Sequence, residues 1–374
     1  MLGRVGRAAS AAGDASSFVG LLMRRVMPQT LVRYARDTLA RAAAADASIP
    51  CRRRARLPAL DVEIRCDHGP LAEAMAGFAA GVAAAPDMQV RIVHPGLAGI
   101  APPAEWGDAD FGSNAFADLL AAEGLRGSYF HELRFWQFYD PASRQGVQLM
   151  AARDAFPPWE TGAPLRAFLH WYYAALGMRL THAGTLGHGG RGVLLAGAGG
   201  AGKSGTVAAG LVEGLDSVGD DYVLVQLRPQ PRAHRLFDTL KQDPAGFARL
   251  RLARVLPQPG PLNWQGKHEF RIGDLARRAP VDHLALTALL LPRIGGGART
   301  TISPAPASEA MLALAPSAIN QMPGDRLAGF RFFGALTRSL PCFRLTLGHD
   351  AAEIAAAIAA FIEGDPASMQ GRRA

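Results

Sequence analysis

Lysine is nearly missing from this chain of 374 residues: Lys203, Lys241 and Lys267 are the only three among 40 basic side chains. The rest of the positive charge is arginine, so each lysine marks a place where a compact point charge was kept over a planar guanidinium. All three fall in the C-terminal half, which makes Lys241 and Lys267 weaker site candidates beside Lys203. Cysteine is as sparse. Cys51, Cys66 and Cys342 are few and odd in number, which argues against a disulfide framework and for a reducing, cytoplasmic setting. Half the residues are hydrophobic (49%), yet no uninterrupted apolar run reaches bilayer length, so no integral membrane span is expected. Phe18 to Met23 is too short for a secretory core, and Arg24-Arg25 follows it directly. His131, His170, His182, His188, His234, His268 and His283 show no tight ligand spacing, and no cysteine pair is close enough for zinc. There is no G-x-S-x-G elbow. The net charge of +8 suggests an anionic partner or an arginine-rich coding bias, but no nucleic-acid motif goes with it.

What is present is a complete G-x-x-x-x-G-K-[ST] loop: Gly197-Ala198-Gly199-Gly200-Ala201-Gly202-Lys203-Ser204. The apolar run Gly192 to Ala196 before it reads as a buried strand, and Thr206 to Val212 after it as the opening of a helix. Glycines let backbone N–H groups converge on an anion, and the helix N-terminus adds partial positive charge at the same spot. Lys203 is expected to hold the β- and γ-phosphates of ATP, and Ser204 to ligate Mg²⁺. Gly205 completes the candidate phosphate-binding set. A competing reading uses the same residues. Gly197, Gly199 and Gly202 also spell G-x-G-x-x-G, and Asp220 lies near where a ribose-binding acid would stand. Against a dinucleotide, Lys203-Ser204 would have no task there, and about half the chain precedes the motif.

Phosphoryl transfer needs a carboxylate for the metal and a group to orient the acceptor hydroxyl. Asp220-Asp221 stand just ahead of the apolar run Tyr222 to Val225, where one can face a metal and the other an acceptor. His182 is a further candidate, although a lone histidine is more often a structural donor.

Three segments are expected. Residues 1–56 read as a basic amphipathic helix over Ser17–Ala45 and a linker at Pro50-Cys51-Arg52-Arg53-Arg54. That helix can lie on a membrane, dock on a partner or pack on its own domain. Residues 57–160 read as a small α/β recognition or support domain without chemistry of its own. Its strands are expected at Leu60–Ile64 and Met88–Val93, a helix over Leu71–Ala84, and a hairpin pairing Leu133–Tyr139 with Gly146–Met150. Residues 161–374 read as an α/β domain around the loop. Helices are expected over Pro164–Leu180, 307–316, 325–338 and 350–363, and strands over Leu284–Arg293 and Phe343–Leu347.

The string Thr181-His182-Ala183-Gly184, then Gly192 to Gly197, Gly202-Lys203-Ser204 and Gly219-Asp220-Asp221 resembles the catalytic core of HPr kinase/phosphorylase and its relatives. The resemblance covers about residues 180–226. It implies a P-loop kinase domain of the HPr kinase and phosphoenolpyruvate carboxykinase type, preceded by a smaller α/β (α+β) domain. It implies phosphorylation of serine with ATP and Mg²⁺. By position, Lys203 and Ser204 would bind phosphate and metal, Asp220 and Asp221 would divide base and metal roles, and His182 would support them. Gly199 stands where the family has Ser, and Gly205 where it often has Glu. No copy of the family's later arginine-rich signature is found, so phosphorylase activity and a hexamer are not part of the expectation. Leu291-Pro292-Arg293, Ala315-Pro316-Ser317 and Leu340 to Leu345 look more like the related serine kinases of bacterial peptide-modification clusters, with Arg293 a candidate γ-phosphate cation. The expected partner is then a peptide or protein acceptor, with an oligomer open. An ATP-dependent switch without transfer, or a small-molecule kinase, are the other readings that fit the loop.

Overall fold

The computed structural model describes residues 28–67, 79–81, 85–101, 106, 115–130, 132–153, 155–319, 321–324, 326–364 and 366. It is a mixed α/β chain with two large sheets and one small one.

The first sheet is built from β1 (Cys51–Leu57), β2 (Leu60–Cys66), β3 (Ala79–Ala80), β4 (Met88–Val93), β5 (Arg126–Phe130), β6 (Phe135–Asp140) and β7 (Gln145–Leu149), in the order β3-β1-β2-β4-β7-β6-β5. Helices α1 (Pro28–Ala44) and α2 (Ala115–Ala122) cover it. The expected strands at 60–64 and 88–93 and the hairpin across residues 135–149 are in place. Two expectations change. The stretch 50–54 is not a linker: β1 pairs along its whole length with β2. Two of its arginines are bound, because Arg52 and Arg54 both reach Glu63 of β2, which is fully buried and also held by Arg65. A buried carboxylate needs such partners to stay charged. The described part of the basic helix, α1, packs Leu31, Val32, Tyr34 and Ala35 onto Val93, Trp136, Phe138 and Leu149. Its apolar face is therefore covered by its own sheet. Residues 17–27 lie outside the described residues, as does most of the helix expected over 71–84, of which Ala79–Ala80 is a strand. Cys51 and Cys66 are cross-strand partners, and none of the three cysteines forms a disulfide.

Then come α3 (Arg166–Ala175), β8 (Met178–Thr181), β9 (Ala183–His188), β10 (Arg191–Ala196), α4 (Lys203–Val212), β11 (Val223–Gln226), β12 (Arg232–His234), β13 (Thr239–Gln242), α5 (Pro244–Arg249), β14 (His268–Arg271), β15 (His283–Ile294), β16 (Thr301–Pro304), α6 (Ala307–Ile319), α7 (Arg326–Ser339), β17 (Cys342–Leu347) and α8 (Ala351–Glu363). The helix expected over 164–180 is shorter. It stops at Ala175, and Gly177 at φ +73 turns the chain into β8. Elements expected at 284–293, 307–316, 325–338, 343–347 and 350–363 are present with small shifts at their ends.

Strand β15 is the spine of the second sheet. It runs parallel to β10 on one side and parallel to β17 on the other. Alternate residues of β10 enter opposite cores, as a pleated strand requires. Val193 and Leu195 pack with Val207, Leu211 and Ile358, under α4 and α8. Leu194 and Ala196 pack with Leu314, Phe333 and Leu336, under α6 and α7. Burial on both faces is why this strand reads as one apolar run. A third core joins the two sheets: Phe168 and Tyr173 of α3 meet Ile64 and Val90 on one side and Leu180 and Leu224 on the other. Strands β8 and β9 are separated only by His182, yet β8 pairs with β11 and β9 with β10. His182 therefore sits where the chain turns from one end of the sheet to the other. Among the described residues, no helix is long and apolar enough to cross a membrane.

Candidate nucleotide and phosphoryl-transfer site

The loop after β10 turns into α4 through Gly202 at φ +101, with Gly200 at φ +79. Both angles favour glycine. A Cβ on Gly202 would also lie 2.6 Å from Leu347 Cδ1, so a larger residue would force that side chain of β17 aside. The strand, loop and helix N-terminus expected from sequence are all there. Lys203 is only 7% exposed, and its Nζ donates to the carbonyls of Gly197 (2.7 Å) and Ala198 (3.2 Å). The ammonium is thus folded back on the loop that carries it. Burial pulls its pKa down, and the charges of Asp220 and Asp221 pull it partly back up.

The two aspartates occupy opposite electrostatic states. Asp220 is 1% exposed, and neither carboxylate oxygen has a hydrogen-bond partner of good geometry among the described residues. Burial pushes its carboxyl up to about 6, even with the Ser204 hydroxyl close enough to offset part of that rise. Asp221 stands in the left-handed region at φ +65, with its side chain about a third exposed. Aspartate tolerates that conformation better than most residues, and such strain gathers at functional sites. His182 Nε2 lies 3.2 Å from Asp221 Oδ1, and Lys241 Nζ lies 3.5 Å from Oδ2. Burial alone would raise Asp221; His182, Lys241 and Arg166 outweigh it and hold the carboxyl well below the usual range.

Gly184 lets these parts meet. A Cβ there would lie 2.6 Å from Val207 Cγ2 and 3.0 Å from Asp220 Oδ1. Gly184→Ala should therefore push α4 and Asp220 away from β9. We expect a cost of about 1–3 kcal/mol, read as a lower midpoint in urea, with weakened nucleotide binding. Unchanged stability would mean that the helix moves aside freely.

The loop, the aspartates and His182 line one cleft of about 570 Å³. All three lysines of the chain line it too. The cleft takes in Ala198, Gly199, Gly200, Ala201, Gly202, Lys203, Ser204 and Gly205; Gly197 contributes its carbonyl to Lys203 from behind. Arg293 is exposed at the end of β15 and is not among the lining residues. Asp220 lines the cleft from a buried position beside Gly184 and Ser204.

Several lining residues escaped the sequence reading. Arg166 lies 4.8 Å above the Tyr222 ring. Phe130 and Trp159, from the half that read as free of chemistry, form a wall with Trp264, whose ring is 6.1 Å from that of Trp159. Trp264 is 55% exposed. Nothing in their local sequence marks them, because they converge only after the two sheets share a core. A further neighbour of the site, Gln321, touches His182 from the turn after α6. Among the described residues, no group of three or more His, Cys, Asp or Glu side chains could hold a metal ion.

No family model matches this chain, and no curated protein matches it. Among solved structures, the chain is similar to the Hpr(Ser) kinase/phosphatase from Coxiella burnetii, at 14% identity and a TM-score of 0.28. The match covers 52% of this chain and 99% of that one. At that score the overlap is too loose to fix a fold or an activity.

Proposed function

We propose that the chain is an ATP-dependent kinase, with a P-loop domain of the HPr-kinase-related type, that transfers the γ-phosphoryl group to a serine hydroxyl on a peptide or protein. The observation that carries this reading is the convergence in one cleft of a complete phosphate loop, both aspartates and every lysine of the chain. A nucleotide-binding switch would need the loop; it would not need two adjacent carboxylates kept in opposite electrostatic states.

The residues divide the work by their surroundings. Backbone N–H groups of Gly200 to Lys203 and the α4 N-terminus receive the phosphates. Lys203 leaves the carbonyls of Gly197 and Ala198 for the negatively charged phosphate oxygens, which accept more strongly. Asp220 is a buried carboxylate without a partner beside a serine hydroxyl, and such a donor set fits a hard divalent cation. Mg²⁺ held by Ser204 and Asp220 would neutralise charge on the phosphates during transfer. Asp221 is the group we assign to the acceptor. It is partly exposed to the cleft, and His182 and Lys241 keep it ionised. It accepts a hydrogen bond from the serine hydroxyl, orients that oxygen toward the γ-phosphorus and takes the proton as the O–P bond forms and ADP leaves. A weak base suffices, because the transition state is loose and asks for orientation more than deprotonation. The first sheet contributes Phe130 to the cleft wall, which supports an acceptor-recognising role for residues 57–160.

The test follows γ-labelled ATP with magnesium in an extract of the source cells. Label should reach one peptide or protein band with the natural protein. Asp221→Asn should lower that turnover by about 100- to 1,000-fold with nucleotide affinity nearly unchanged. Label found only as free phosphate, or equal turnover in the Asn variant, would remove the kinase reading or the Asp221 assignment respectively.

A further inference from the structure

We infer that Gln321 is a positioning residue: held by Ser317, it fixes the tautomer of His182 so that the imidazole presents an N–H to Asp221. The inference rests on the kinase reading for its effect on turnover, but its structural content does not.

The reasoning starts from one backbone group. The main-chain N–H of His182 donates to Ser317 Oγ at 3.0 Å. Ser317 is 4% exposed on α6, and among the described residues its own hydroxyl proton finds an acceptor in Gln321 Oε1 at 3.1 Å. With Oε1 so occupied, the amide nitrogen of Gln321 faces His182 Nδ1 at 2.7 Å. A primary amide nitrogen only donates, so Nδ1 must be the bare nitrogen that accepts. A neutral imidazole with a bare Nδ1 carries its proton on Nε2. Nε2 is the atom that lies 3.2 Å from Asp221 Oδ1. The chain of donors therefore runs Ser317, Gln321, His182, Asp221, and each link has one direction.

Each end of this chain is anchored. Ser317 sits in α6, which packs its Leu314 and Ala318 into the core beneath β10. Asp221 sits in the turn between Asp220 and β11. Gln321 therefore relays the placement of a core helix to the acceptor side of the cleft. The groups facing His182 are Asp221, the Tyr222 ring at 5.5 Å and the Gln321 amide, with Lys241 and Arg166 beyond Asp221. Without the amide, Nδ1 is free to take the proton, and the imidazole can turn a bare Nε2 to a carboxylate that it would then repel. The carboxylate of Asp221 would lose the donor that orients it.

The experiment uses the full chain with ¹⁵N-labelled histidine and two variants, Gln321→Leu and Gln321→Glu. Ring nitrogen shifts report the His182 tautomer directly, with His182→Asn used to assign the signal. The natural protein should show a protonated Nε2 and a bare Nδ1 at pH 7.5. Gln321→Leu should lose that single tautomer and lower kcat for transfer by about 10- to 100-fold, with the KM for ATP unchanged. Gln321→Glu places an acceptor where the donor was. His182 should then carry a proton on Nδ1, where the new carboxylate accepts it. A residue that merely filled space would leave the Gln321→Leu spectrum as in the natural protein. A natural protein with its proton on Nδ1, or a Leu variant with an unchanged tautomer, would overturn the proposal. Shifted tautomers in a protein with no transfer activity would leave the positioning intact and count against the kinase reading alone.

Discussion

Lys203→Met should lower phosphoryl transfer by about a thousandfold or more while leaving the fold as stable as before. Methionine keeps most of the length of the lysine stem and removes only the charge. In the free protein that charge is a burden as much as a support, since burial lowers the pKa of Lys203 and its Nζ is satisfied by two loop carbonyls rather than by an ion pair. The stability cost of the substitution is therefore small. Its catalytic cost is large because the positive charge acts where negative charge gathers in the transition state, inside a cleft in which water screens poorly. Lys241 and Lys267 cannot stand in. Lys241 is committed to Asp221 and lies within 4.0 Å of Glu269, and Lys267 approaches from the β14 side of the cleft. Thermal melts and initial rates on the same preparations make the check. Retained turnover in a well-folded Met variant would show that Lys203 does not hold the transferring phosphate. A collapsed melting temperature would show that the lysine is structural.

What could be read from the sequence divides by how local its cause is. The loop was legible because its glycines, lysine and serine act through their own backbone, and β10 announced itself as an apolar run. The scarcity of lysine was informative for the same reason: a residue type used three times is unlike its background, and all three copies meet in the cleft. The linker expected at 50–54 is instead a strand, because what holds its arginines is distant in sequence. Its partner, Glu63, lies on the neighbouring strand, and only pairing brings it near. The Trp159 and Trp264 wall and the Gln321 contact were invisible for a stronger reason. Gln321 lies 139 positions from His182, and no periodicity links residues whose meeting depends on how α6 crosses the sheet. The roles of the two aspartates were also out of reach, since identical neighbours in sequence are separated by burial and by the His182 and Lys241 contacts that only Asp221 makes.

That separation predicts that Asp220→Asn makes the free protein more stable at neutral pH while abolishing transfer. In the unfolded chain an aspartate titrates near 3.9. In the fold, burial raises Asp220 to about 6. Between those values the folded state binds more protons than the unfolded one, so this carboxyl favours folding least above pH 6 and not at all differently from asparagine below about 4. Stability attributable to the group is lost as pH rises through the folded value. The gap corresponds to roughly 3 kcal/mol at most. Lys203 loses a nearby anion in the Asn variant, which offsets part of the gain and leaves about 1–2 kcal/mol. Melting curves should show the variant about 2–4 °C above the natural protein at pH 7.5 and coincident with it below pH 4. Adding magnesium and ATP should reverse the order, because the cation has lost its carboxylate in the variant and ligand binding stabilises only the protein that can hold it. An Asn variant that melts lower at pH 7.5 without ligand would mean that Asp220 is already compensated in the free protein. It would then lack the unmet charge that fits it to a metal.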